Sequence, residues 1–176
     1  RVSEMNILVV SPYFPPDKTV GALRMARLVR SLKKNKINVC VLTNKKNHDT
    51  TEINVKQYFV DPLEGDLSYF KRFKENQKRY CNAFLQLTHA YKFDAVVVSG
   101  GPFYTFEISL KSKKIGIPCV LDFRDPWIFD YREAKSFFKM KNLIRRLIEF
   151  PMERRAVYAA TKVVTVTPGW VKTFKR

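Results

Sequence analysis

The sequence predicts an α/β domain with a doubly wound, mainly parallel sheet and helices on both faces. Three observations point there. Five short β-branched runs, Ile7 to Val10, Val39 to Thr43, Ala95 to Ser99, Cys119 to Phe123 and Val163 to Val166, are apolar at consecutive positions. Continuous runs of this kind suit parallel strands covered on both sides. The segments between them are long enough for helices, and Gly and Pro punctuate the joints.

Taken in chain order, the first run is followed by a segment in which Met25, Leu28, Val29 and Leu32 keep the i, i+3, i+4, i+7 spacing. Arg27, Arg30 and Lys34 fall elsewhere on the wheel, so the unit reads as strand, amphipathic helix, strand. A weaker strand is expected around Val55 to Val60, its pairing open. Asp66 to Lys92 lacks helix breakers after the turn Asp61-Pro62-Leu63-Glu64-Gly65 and predicts one long helix or two. Pro102 opens a helix to about Lys114, and Gly116 stops it. Tyr131 to Ala160 reads as helical with an interruption at Pro151. The last strand ends at Pro168-Gly169, and Trp170 to Arg176 reads as the first turns of another helix.

At 176 residues, with 45% hydrophobic and 14% aromatic residues, the chain suffices for one globular domain and not for a disordered segment. The formal charge of +17 calls for a negatively charged partner: nucleic acid, an anionic lipid surface or a phosphorylated substrate. No run reaches the ~20 apolar residues of a membrane-spanning helix. Arg1 to Asn6 is too short and polar for a signal peptide and, lacking Met, is expected to be a trimmed start. Cys40, Cys81 and Cys119 are odd in number and without a CxxC, which favours buried thiols in a reducing compartment. His48 and His89 have no ligand-spaced companion, so no metal is expected.

In a doubly wound sheet, ligands sit beyond the carboxyl ends of the strands, which confines the search to three loops. The loop from Ser11 to Gly21 is too long and proline-rich for the G-x-G-x-x-G dinucleotide turn. Gly21 allows close backbone approach, and the first-turn amides of Ala22 and Leu23 could hold a phosphate. Arg24, a cation in the first helical turn, opposes the helix dipole unless an anion offsets it. Equally, Thr19 or Gly21 could simply cap the helix with Arg24 in solvent. The second loop, Ser99-Gly100-Gly101-Pro102, leaves room above a strand end, as a tight turn without ligand also would. The third, Asp122-Phe123-Arg124-Asp125-Pro126-Trp127, puts three charges at the end of a buried strand. That pattern marks either a polar site or a local ion pair with Trp127 as a core anchor. No G-x-S-x-G elbow or G-x-x-x-x-G-K-[ST] loop occurs, against a serine hydrolase or a P-loop NTPase.

Ile7 to Ser11 with Phe14-Pro15-Pro16, Gly21, Arg24 and Val39 to Thr43 resembles the opening of family 4-type glycosyltransferases of the GT-B fold. Ser99 to Pro102, Gly116-Ile117-Pro118, Leu121 to Trp127 and Glu153 to Pro168 continue the likeness over nearly the whole chain. The resemblance implies a retaining transferase that moves a sugar from a nucleotide-sugar to a glycan or lipid-linked acceptor, in envelope or exopolysaccharide synthesis. It implies a cytoplasmic enzyme, peripheral on the inner membrane face. Residues 1–176 would be its single Rossmann-like acceptor-binding domain, truncated before the nucleotide-sugar domain and inactive alone. Carried over, Gly21, Ala22 and Arg24 are donor-phosphate residues, and Ser99, Gly100, Gly101 and Trp127 line the acceptor side. Arg124 and Asp125 face the reaction centre with roles left open, since several relatives carry a histidine near Arg124. No cofactor beyond the nucleotide-sugar substrate is implied.

The basic surplus is uneven. Arg132 to Arg155 holds eight basic residues against Glu133, Glu149 and Glu153, interleaved with Phe137, Phe138, Met140, Leu143, Ile144, Leu147 and Phe150. Such a helix either lies on an anionic membrane or packs its apolar side on the sheet with a solvated basic face. The competing class is a basic nucleic-acid- or membrane-surface-binding module without catalysis. Nucleic acid is disfavoured, because the aromatics fall at apolar helix positions and no common binding signature is present.

Overall fold

The computed structural model describes residues 5–45, 53–66, 68–128, 140–166 and 171. Six parallel strands form one sheet: β1 (Asn6–Val10), β2 (Asn38–Asn44), β3 (Lys56–Val60), β4 (Ala95–Ser99), β5 (Cys119–Phe123) and β6 (Lys162–Thr165). Their order is β3-β2-β1-β4-β5-β6. The chain builds outward from β1 in one direction, then returns to lay β4 on the other side. The switch point of the topology therefore lies between β1 and β4, where a crevice opens beyond the strand ends.

Helix α1 (Val20–Lys34) covers one face, its Met25, Ala26 and Val29 buried against Ile7, Val9, Val39 and Val41. The other face carries Leu8, Val10, Val96, Val98, Leu121 and Phe123 beneath α2 (Tyr69–Ala90), α3 (Ile108–Lys114) and α4 (Met140–Ala159). Neighbouring positions of β1 thus feed opposite cores, as the consecutive apolar runs require.

The weak strand is real: β3 pairs in parallel with β2 at the sheet edge, with Leu42 opposite Tyr58. The segment after Pro102 begins as a 3-10 turn, Phe103–Glu107, before α3. Thr105 Oγ1 lies 3.3 Å from both the Ser99 and Pro102 carbonyls, within reach of either, and holds the tighter winding. Gly116, at φ +74°, ends α3 as expected. The interruption at Pro151 does not occur, and α4 runs through it. Pro151 lies on the exposed side, where the Leu147 carbonyl that loses its donor can turn to water. The expected helix between Tyr131 and Lys139, and the turn at Pro168-Gly169, lie outside the described residues. Cys81 and Cys119 are buried free thiols, both pushed up to about 12 by burial, and Cys40 is partly exposed. No described helix is long and apolar enough to cross a membrane.

Candidate functional site

The loops after β1, β4 and β5 meet on one rim of the sheet, around the side chain of Arg124. A Cβ placed on Gly21 would sit 2.7 Å from Arg124 Nη1, and one on Gly101 3.5 Å from Nη2. The guanidinium therefore rests between two positions that lack a side chain. Gly101 also has φ +77°, a region L residues rarely enter. Arg124 Nε donates to Asp125 Oδ2 at 2.8 Å, which turns the Nη edge toward the two glycines.

A second guanidinium, like that of Arg124, acts on the buried Asp122. Arg24, from the second turn of α1, reaches across to β5 and donates from Nη2 to Asp122 Oδ1 at 2.6 Å. The anion that offsets Arg24 against the helix dipole is thus a carboxylate of the protein itself. Arg24 Nη1 remains buried without a hydrogen-bond partner among the described residues. Asp122 is 4% exposed, and burial outweighs the neighbouring guanidinium, so its carboxyl is held above the usual range. Ser99, its register partner on β4, places Oγ 3.5 Å from Asp122 Oδ2, and Gly100 N donates to the Asp122 carbonyl.

The other candidates divide. Thr19 caps α1, its Oγ1 accepting from Ala22 N at 3.3 Å while its carbonyl accepts from Leu23 N. Both amides expected to hold a phosphate are engaged, and Gly21 becomes the point of backbone approach. Gly100 faces inward, since a Cβ there would fall 2.4 Å from Phe106 and 2.8 Å from Phe103. Trp127 is buried too, stacked on Phe103 at 5.2 Å between centroids and donating from Nε1 to Glu149 Oε2. It anchors the loop from below instead of lining the crevice. Gly21, Arg24, Ser99, Gly101, Arg124 and Asp125 remain on the rim. Asp122 joins them as the residue that sequence reasoning noticed without assigning. Its signal was a carboxylate at the last turn of an otherwise apolar parallel strand. Among the described residues no cluster of His, Cys, Asp or Glu could hold a metal ion.

The six-stranded parallel sheet of order 321456 is the Rossmann-like fold of a GT-B amino-terminal domain. Residues 21–176 match the glycosyl transferase 4-like domain, and the chain belongs to that family. Sucrose-phosphate synthase from Thermosynechococcus elongatus superposes with a TM-score of 0.72 at 11% identity, over 98% of this chain and 45% of that one. MnaA from S. aureus, solved with UDP, gives 0.56 at 20% identity over 92% and 37%. MurG from Acinetobacter baumannii gives 0.53 at 15% identity over 94% and 41%. The chain spans less than half the length of each of these structures. No curated protein matches it.

Proposed function

We propose that this chain is the acceptor-side domain of a retaining glycosyltransferase that moves a sugar from a nucleotide-sugar to a glycan or lipid-linked acceptor at the cytoplasmic face of the cell envelope. Its donor-binding partner domain lies outside residues 1–176. The observation that carries the reading is the Arg124 guanidinium seated between Gly21 and Gly101, with the unpartnered Nη1 of Arg24 nearby.

Departure of a nucleoside diphosphate builds negative charge on its phosphate oxygens, and fixed cationic donors stabilise that charge most where water is excluded. Arg124, oriented through its Nε bond to Asp125, presents two Nη groups to that position, and Arg24, tied to Asp122, adds a second positive charge behind it. Gly21 leaves the room in which the Arg124 guanidinium sits at the start of α1, where the dipole favours an anion beside it. Ser99 and Gly101 border the space left for the acceptor. Against a nucleic-acid module stand the rings themselves: Phe73, Tyr80, Phe84, Phe106, Phe123 and Trp127 are buried.

The test is calorimetric titration with inorganic pyrophosphate. Gly21→Ala is expected to weaken binding tenfold or more, because the new Cβ displaces the guanidinium. Its melting temperature should hold or rise, since Ala is favoured over Gly in a helix by about 0.5–1 kcal/mol. Equal affinity in the parent and the variant would sink the phosphate assignment. The 176-residue chain alone is expected to transfer no sugar, and turnover by it would overturn the half-enzyme reading.

A further inference from the structure

The long helix α4 packs Met152, Ala156 and Val157 on the core, yet it buries charge beside them and leaves large apolar side chains outside. Its buried side carries two carboxylates, Glu149 at 2% exposure and Glu153 at 7%. Its outer side carries Leu147 at 69%, Tyr158 at 68%, Ile144 at 48%, and Ile148 and Phe150 at 41% each. At 100° per residue these five, with Pro151, Arg154 and Arg155, fall within an arc of about 160°. The acids are held inside by donors from two other elements. Tyr69 Oη on α2 donates to Glu149 at 2.6 Å, and Trp127 Nε1 and the Ile128 amide donate to Glu149 and Glu153 from the loop after β5. With both carboxylates engaged inward, the exposed arc from Ile144 to Tyr158 carries Arg154 and Arg155 and no acid, and Arg146 flanks it.

We infer that this face docks α4 in the plane of an anionic lipid bilayer. A second copy of the chain would bring Arg154 and Arg155 against their own counterparts on a molecule already at +17, which opposes pairing. An anionic bilayer satisfies both halves of the surface: its acyl boundary takes Ile144, Leu147, Ile148 and Phe150, and its headgroups take the arginines. Arg154 already lies over the rings of Phe150 and Tyr158, at 5.7 and 5.6 Å, where aromatic and cation meet at an interface. The loop that Glu149 and Glu153 grip is the one that carries Arg124. The biological purpose rests on the lipid-linked acceptor proposed above, while the surface argument stands on α4 alone.

Flotation of the chain with phosphatidylcholine vesicles, with or without phosphatidylglycerol, tests the inference. Three arginines near the surface predict a preference for the anionic vesicles of roughly a hundredfold. Leu147→Gln with Ile148→Gln should abolish flotation, and Arg154→Gln with Arg155→Gln should cut the preference to about fivefold. Both pairs are exposed, and unchanged circular dichroism and pyrophosphate affinity will show that each variant is folded with its rim intact. The inference is overturned if the parent does not float with anionic vesicles or if the variants float as well as the parent. It is also overturned if sedimentation shows a dimer that Leu147→Gln dissolves. A parent chain that binds pyrophosphate but does not float removes this inference alone; a parent that floats without binding pyrophosphate removes only the phosphate site.

Discussion

Asp122→Ala is expected to lower stability by roughly 2–3 kcal/mol, a fall of about 5–10 °C in melting temperature for a chain of this size. The carboxylate joins two residues 98 apart in sequence, in the second turn of α1 and at the end of β5. Removing it leaves both Nη groups of Arg24 without a partner beneath the rim. Breaking a fully buried pair costs about 3–5 kcal/mol, but the Arg24 side chain is 32% exposed and water recovers part of the loss. The double replacement Arg24→Met with Asp122→Leu separates pairing from burial. Because burial of Asp122 already outweighs the attraction of Arg24, the apolar pair should return to within about 1 kcal/mol of the parent. A single variant that melts with the parent would mean that the contact does not tie α1 to β5. A double variant no better than the single would mean that the loss came from packing, with charge irrelevant.

That contact also marks the limit of the sequence as a guide. The strands were legible because residues such as Leu8 and Val9 must satisfy two cores at once, which forces consecutive apolar positions. The three loops were legible because a doubly wound sheet collects its turns on one rim. The meeting of Arg124 with Gly21 and Gly101 was not, because nothing local to a glycine says which distant guanidinium will fill the space where its side chain is missing. Arg24 shows the same limit from the other direction. Its charge opposes the helix dipole, and Asp122 and a bound phosphate offset it equally well on paper. The failure at α4 is more instructive. Periodicity separates the two faces of a helix but does not say which one is inside. Met152, Ala156 and Val157 pack inward as expected, but Glu149 and Glu153 join them because Trp127, Tyr69 and the Ile128 amide supply buried donors, which leaves Ile144, Leu147 and Phe150 outside.

The burial of Glu149 and Glu153 has a consequence for stability against pH. Burial, with Glu149 one turn away adding to it, raises the Glu153 carboxyl from the ordinary 4.5 to about 7, against the opposing bond from the Ile128 amide. Between those values the folded chain keeps a proton on Glu153 that the unfolded chain has released. Unfolding is then favoured by rising pH, and the contribution of this group falls steadily from about pH 4.5 to about pH 7 before levelling off. The full span is up to about 3 kcal/mol. Glu153→Gln keeps the size and an acceptor for the Ile128 amide but cannot ionise, so its advantage over the parent should be near zero at pH 4.5 and greatest above pH 7. Urea denaturation of both proteins across that range measures the difference directly. A gap that stays constant with pH would place the Glu153 carboxyl in the ordinary range and the helix with its acidic side open to water. A gap that widens with pH fits a carboxyl kept protonated inside α4, against the same loop that positions Arg124.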